Sequence, residues 1–213
     1  MLQKGNIVVL NMNIAEYKNL SKIIATYLKL DFQSEIMYRL SNSKSAPSAF
    51  ICDEYAEYVT KTDADFFALS REAKCINIVS TQSYSSLKNT LKDETAVRVI
   101  CQNLINKIWF RTDDIFTIEE AQKQLGKENK QYLSKSISEN AKETKFSYIT
   151  NSLNSQNSSI TESINTYTQK DFIYDTNFFT QSLETFSALT FLSDGSQIFK
   201  PTKLKMFPYF KKG

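Results

Sequence analysis

The chain has 213 residues, with 26 Lys and Arg against 23 Asp and Glu for a net charge of +3, enough length for one domain, or one domain and an extension, around a real core. A composition of 41% hydrophobic and 23% charged residues excludes a disordered chain, while so small a net charge does not by itself mark a nucleic-acid binder. The sequence holds no histidine, which rules out Ser-His-Asp and Cys-His catalysis and His-based zinc sites.

Taken in order, Asn6 to Asn11 (NIVVLN) reads as a short buried strand after the turn residue Gly5. From about Ile14 to Leu40 a helical pattern follows, with Leu20, Ile23, Ile24, Tyr27, Leu28 and Phe32 forming an apolar stripe. This helix also carries Tyr17, Tyr27, Tyr38, Lys18, Lys22, Lys29 and Arg39. An aromatic-basic surface can bind single strands, although an apolar stripe with solvated lysines is the commoner arrangement. Ser41 to Ser48 is a polar loop, and Ala49 to Cys52 a second buried strand that ends in Asp53-Glu54.

A helix is expected over about Ala64 to Lys74, then a strand over Cys75 to Ser80 that leads into polar Thr81-Gln82-Ser83. Helices from Tyr84 and over Thr95 to Gln102 precede a strand at Ile105 to Arg111, and Gly126 stops a helix over Ile118 to Leu125. Such alternation indicates an α/β fold with a parallel sheet, in which chemistry collects at the carboxyl ends of the strands. Composition shifts near Tyr132, and the Ser/Asn-rich stretch that follows is expected to be a loosely ordered connection with short helices or turns. Beyond it, Phe178, Phe179, Leu183 and Phe186 can share one helical face. A hairpin is expected from Ala188 to Leu192 and Gln197 to Phe199 about the Asp194-Gly195 turn, with a further strand near Lys203 to Phe207. The expected divisions are therefore 1–131 for the α/β core, 132–170 for the connection, and 171–213 for a C-terminal helix and hairpin.

No run approaches the roughly 18 consecutive apolar residues of a membrane span, and the start has no signal-peptide form. Cys52, Cys75 and Cys101 are scattered through apolar runs and read as buried free thiols, which makes a cytoplasmic location the expectation. None of the four glycines lies between Gly5 and Gly126, so no Gly-rich loop is present there to wrap a phosphate.

The acidic strand end has a physical use. An aspartate there can hold the Mg²⁺ of a nucleotide and the glutamate can polarise the attacking water. Acidic residues also end many strands because they reach solvent, so Asp53-Glu54 alone does not decide between the two. Spacing adds to the case. Arg71 follows Glu54 by 17 residues and Gln82 follows Arg71 by 11. Neighbouring strand tips would place Asp53, Glu54 and Gln82 around one cleft, where a glutamine can bond the γ-phosphate or the water. Arg71, on the intervening helix, could face a neighbouring subunit's phosphate as an arginine finger.

Three segments, Phe50 to Tyr55, Ala68 to Ile76 and Val79 to Ser83, resemble successive motifs of the TraG/TraD-type coupling proteins of type IV secretion, in the FtsK/HerA group of DNA motors. Gln102-Asn103-Leu104 with Lys107 to Arg111, Thr112 to Gly126, and the tail from Phe178 through Asp194-Gly195 to Pro208-Tyr209-Phe210 agree with that resemblance. It implies the C-terminal part of a RecA-like P-loop ATPase domain, with Asp53 and Glu54 at the Walker B positions, Gln82 at the sensor and Arg71 at the trans-acting finger. It further implies ATP and Mg²⁺ in the complete enzyme, and a homo-hexamer moving DNA and relaxosome proteins into a secretion channel from the bacterial inner membrane. Family members carry membrane helices and a Walker A loop upstream of the matching region, and with no such loop in this sequence the chain alone is expected to hydrolyse ATP poorly or not at all. The alternative is a non-catalytic module that binds a relaxosome or channel protein.

Overall fold

The computed structural model describes residues 5–12, 14–17, 19–41, 46–140, 145–147, 152–154 and 159–208. Residues 42–45 of the expected loop and Tyr209-Phe210 of the tail lie outside them. The chain divides into two compact units, Met1–Ala121 with Asp175–Gly213, and Gln122–Tyr174.

In the first unit a one-turn helix α1 (Ile14–Tyr17) precedes the long helix α2 (Asn19–Tyr38). Strands β1 (Ser48–Cys52) and β2 (Cys75–Val79) then pair in parallel, with Ser48 opposite Cys75 and Cys52 opposite Val79. Their connection runs through a 3₁₀ turn, Tyr55–Glu57, and helix α3 (Asp63–Ser70). Burial alternates along both strands, as a two-residue side-chain period requires. Phe50 and Cys52 pack toward a core that includes Tyr55, Phe66, Phe67, Cys75, Leu87, Val97 and Ile100. Ala49, Ile51, Ile76 and Ile78 share the other face and are exposed, Ile51 at 71%.

Helices α4 (Tyr84–Leu91) and α5 (Glu94–Asn103) each begin on a side-chain cap, Ser83 accepting from Ser86 N at 3.1 Å and Asp93 from Ala96 N at 3.1 Å. Asp114 opens α6 (Ile115–Leu125) by accepting from Thr117 N at 2.9 Å and from the Ser85 hydroxyl. Gly126 follows at φ +86, where its N–H reaches Gln122 O at 3.0 Å. Strand β3 (Lys107–Trp109) sits at one side of an antiparallel sheet ordered β3-β8-β9, with β8 (Ser187–Phe191) central and β9 (Thr202–Lys205) outside. Trp109, Ile118, Ala121, Phe179, Leu183, Ala188 and Leu189 are buried in this part of the chain.

The second unit is built on a long antiparallel ribbon, β4 (Lys127–Asn140) with β7 (Ser159–Phe172), and a short pair, β5 (Lys145–Ser147) with β6 (Ser152–Asn154). Tyr132 and Tyr167 are directly opposed and stacked at 5.8 Å, and the Tyr132 hydroxyl donates to Asp171 Oδ2 at 2.6 Å. Cross-strand aromatic pairs of this kind steady a sheet that has little else to bury.

Several expectations need correction. Asn6 to Asn11 pairs with no strand among the described residues, and Ile7 is 91% exposed; a strand's ladder needs a neighbouring strand, and no described strand pairs with this segment. Most of the apolar stripe of α2 points outward, with Leu20, Ile23, Tyr27 and Leu28 exposed; Phe32 packs against the core, and Ser21, Lys29, Gln33 and Ile36 face inward. Lys29 is therefore buried rather than solvated. Where a loosely ordered connection with short helices or turns was expected, the described residues form β4, β5, β6 and β7. The main partner of β8 is β9, whereas Gln197 to Phe199 contributes an isolated bridge, Ser193 to Ile198, and a hydrogen bond from Phe199 N to Leu192 O. Phe178, Phe179 and Leu183 lie on or beside a π-helical turn, Phe178–Ser182, but Phe186 stands outside it at φ 61.

Candidate nucleotide site at the parallel strand tips

The parallel register places the carboxyl ends of β1 and β2 side by side, and backbone hydrogen bonds then lock the loops that follow. Ser80 N donates to Cys52 O at 3.0 Å, and Tyr55 N donates to Ser80 O at 2.8 Å. Asp53, Glu54 and Gln82 thereby come together. Gln82 Nε2 lies 3.1 Å from Glu54 Oε1 and 3.3 Å from Oε2. The Ser80 hydroxyl donates to Asp53 Oδ1, which also accepts Glu54 N at 3.0 Å. Asp53 and Gln82 are exposed and Glu54 is half-buried, so the tip is open to a ligand.

Glu54 adopts left-handed backbone angles, φ 49 and ψ 41. Such a conformation costs a non-glycine residue about 1–2 kcal/mol and collects at functional sites.

Asp53 suits an ion carried in by a nucleotide. Mg²⁺ takes one or two carboxylates and fills its other positions with water and phosphate oxygens, and Asp53 Oδ2 meets no hydrogen-bond donor among the described residues. No cluster of three or more metal-ligating side chains occurs among those residues, so a dedicated protein cage is not what this tip offers.

Arg71 is not part of this cluster. It caps the C-terminus of α3, before β2 begins, and Lys74 O receives Ser48 N at the entry of β1. The whole length of β2, on the order of 13 Å at 3.3 Å per residue, separates its end of the sheet from the tips. Its exposed side chain makes no ion pair or hydrogen bond among the described residues. Asp113 is a solvated neighbour, whereas Asp114 is spent on capping α6.

Sequence reading missed the support beneath the tip. Tyr55 is fully buried, and its hydroxyl donates to Asp63 Oδ2 at 2.6 Å. Asp63, also fully buried, takes Lys29 Nζ at 2.7 and 2.6 Å, Gln33 Nε2 at 3.0 Å, Thr60 Oγ1 at 2.8 Å and Thr60 N at 3.1 Å. Burial alone would raise the Asp63 carboxyl, but the Lys29 charge and the donors around it hold it below the usual carboxylate range. Burial likewise lowers the Lys29 ammonium, against the pull of Asp63, and drives the Tyr55 phenol far upward. Six donated hydrogen bonds favour the charged carboxylate. The available signal was Thr60-x-x-Asp63 at a helix start; nothing local pointed to Lys29. The three cysteines are free thiols, pushed up to about 11 by burial, which makes them poor nucleophiles.

Among the described residues no helix is long and apolar enough to cross a membrane. Among curated proteins no sequence matches the chain. Its fold is similar to that of the bacterial conjugative coupling protein TrwBΔN70 in an unbound monoclinic form, with a TM-score of 0.53, 13% identity and 82% of this chain covered. The match spans 35% of that protein's chain, and at this identity it speaks for fold alone: mixed α/β, with a parallel sheet and helices. The family described as the TraM recognition site of TraD and TraG matches residues 47–173, well over half of the sequence and including both strand tips, and the chain belongs to this family, the C-terminal part of TraG/TraD-type coupling proteins.

Proposed function

We propose that this chain contributes the acidic and glutamine side of a nucleotide site to a DNA-transfer motor of conjugation, in the manner of the coupling proteins. The observation that carries the reading is the junction of Asp53, Glu54 and Gln82 on two adjacent parallel strand tips, with Glu54 held in a costly backbone conformation. Asp53 would hold the nucleotide's Mg²⁺, which supplies charge neutralisation at the phosphates. Glu54 accepts a proton from, or polarises, the attacking water, and Gln82 orients that water or bonds the γ-phosphate. Arg71, at the far end of the sheet, is better sited to reach a neighbouring subunit's phosphate than its own, as a homo-hexamer would require.

The sequence offers no Gly-rich loop for the phosphates, since none of its glycines lies between Gly5 and Gly126. The ATP-binding half of the site must then come from other residues than these. DNA, relaxosome proteins and the secretion channel enter as the partners of such a motor, which works at the cytoplasmic side of the bacterial inner membrane. The test is ATP hydrolysis by this chain mixed with a P-loop-bearing half, using Glu54→Gln and Arg71→Ala. Each should lower turnover by about 100-fold or more, and unchanged turnover in both would sink the assignment.

The description of the matching family favours a second reading, a non-catalytic module that docks a TraM-type relaxosome protein. Calorimetric titration with purified TraM distinguishes it: binding that Glu54→Gln and Arg71→Ala leave intact, in a mixture without ATPase activity, selects the module.

A further inference from the structure

Among the described residues four non-glycine positions have positive φ: Glu54, Lys74, Lys92 and Phe186. Lys92 has a local reason, since it closes α4 with its N–H on Lys88 O at 2.8 Å. Glu54 has local bonds as well, its N–H donating to Asp53 Oδ1 at 3.0 Å and its carbonyl accepting from Glu57 N at 2.9 Å. It opens the turn Tyr55–Glu57 without a side-chain cap, and its carboxylate is turned instead to Gln82. Its two neighbours are also both fixed. Asp53 is held by the Ser80 hydroxyl. Tyr55 is held at both ends, its N–H on Ser80 O at 2.8 Å and its hydroxyl on Asp63 Oδ2 at 2.6 Å.

Asp63 is the first residue of α3, where one or two hydrogen bonds from the helix entrance would suffice. It receives six, including two from a lysine 34 positions earlier on α2. Lys29 is itself saturated by Tyr58 O at 2.8 Å and Thr60 Oγ1 at 3.0 Å. Every buried side-chain nitrogen and oxygen among the described residues has a partner, so the network is complete. A buried pair of this kind is weak evidence for stability but can fix one arrangement among several. Here the arrangement it fixes ends one residue from Glu54.

We propose that Tyr55, Asp63 and Lys29 are positioning residues that hold Glu54 in its left-handed conformation and so aim its carboxylate at Gln82. What Glu54 then does rests on the nucleotide-site reading; the geometry does not. Lys29 and Gln33 pin the Asp63 carboxylate, the carboxylate pins the Tyr55 ring, and the ring with the Ser80 carbonyl leaves residue 54 no room to relax.

The experiment is NMR on the ¹⁵N-labelled 213-residue chain. In the unsubstituted chain Glu54 should give the strong intraresidue Hα–HN contact of a left-handed residue, and a weak one overturns the proposal outright. Tyr55→Phe removes one oxygen and leaves Asp63 five hydrogen bonds from four donor atoms. It should keep a dispersed spectrum, speed amide exchange at position 55 by about tenfold or more, and move the Gln82 side-chain amide to where Glu54→Gln puts it. Asp63→Asn keeps an acceptor for the Tyr55 hydroxyl but removes the charge opposite Lys29. It should lower thermal stability more than Tyr55→Phe while leaving the Gln82 amide near its original position. Displacements that simply rank with lost stability, or a Gln82 amide unmoved by Tyr55→Phe, would show a structural network with no positioning role. None of these readouts involves ATP, so the proposal and the nucleotide-site reading fail separately.

Discussion

Lys29 carries one of the few charges removed from water in this chain, and its surroundings decide whether the fold survives without it. Its side chain is 3% exposed and that of Asp63 0%, so removing either partner leaves an uncompensated buried charge. Lys29→Met should therefore destabilise the chain by about 3–5 kcal/mol in urea denaturation. Lys29→Met combined with Asp63→Asn removes both charges and keeps an acceptor for Tyr55 and Thr60, so it should recover more than half of that loss. The pair also contributes to the acid limit, beside Asp114, whose carboxyl is likewise held below the usual range. The folded Asp63 pKa is depressed, so its contribution is complete above the unfolded value of about 3.9 and is lost as pH falls through the folded one. The acid limb of a Tm-against-pH curve should accordingly steepen below about pH 4. At this scale the site was half legible. Asp53, Glu54 and Gln82 stand at the ends of strands that the sequence announces, and parallel pairing is enough to join them. Lys29 sits in a helix whose stronger local pattern points elsewhere, and its partner is 34 residues away, beyond the reach of any periodicity.

Among the elements, those bounded by strong local signals agree with their sequence patterns, and those whose formation depends on a neighbour do not. β2 and α6 follow from an apolar run and a glycine stop. Gly126, at φ +86 with open space around its Cα, is limited by backbone strain and not by packing. Gly126→Ala should cost about 1 kcal/mol in the same denaturation assay. The NIVVLN segment has the composition of a strand but pairs with no strand among the described residues, and composition cannot supply one. β1 and β2 show the same dependence on their outer face. Ile51 at 71% and Ile78 at 55% exposure bury little here, although a parallel sheet is ordinarily covered on both sides. Ile51→Thr and Ile78→Thr should each change unfolding free energy by about 0.5 kcal/mol or less. Phe67→Ala, at 4% exposure, should cost about 3–5 kcal/mol. Comparable losses at Ile51 and Phe67 would mean that the outer face is covered in solution.

The molecule as a whole joins two kinds of stability in one chain. Unit Met1–Ala121 with Asp175–Gly213 contains the hydrophobic core. Unit Gln122–Tyr174 is a ribbon whose backbone bonds are numerous and whose side chains stay wet: Leu133 is 76% exposed and Ile164 65%. Its residues are Ser, Thr, Asn and Lys alternating with a few aromatic and aliphatic groups, so it buries too little apolar surface to leave a hydrophobic period in the sequence. That is why composition pointed to a loose connection while backbone pairing makes a sheet. A two-stranded ribbon is marginal in water without a third strand or a helix beneath it. Its amides should therefore exchange by local opening, at rates that barely respond to low urea. Amides of Phe67, Val97 and Ile100 should exchange only through global unfolding, with the full urea dependence of that transition. Hydrogen exchange followed residue by residue at several urea concentrations measures both. If Tyr132 and Tyr167 exchanged with the same free energy and urea dependence as Ile100, the two units would share one cooperative transition, and the ribbon would owe its stability to more than its own hydrogen bonds and one stacked tyrosine pair.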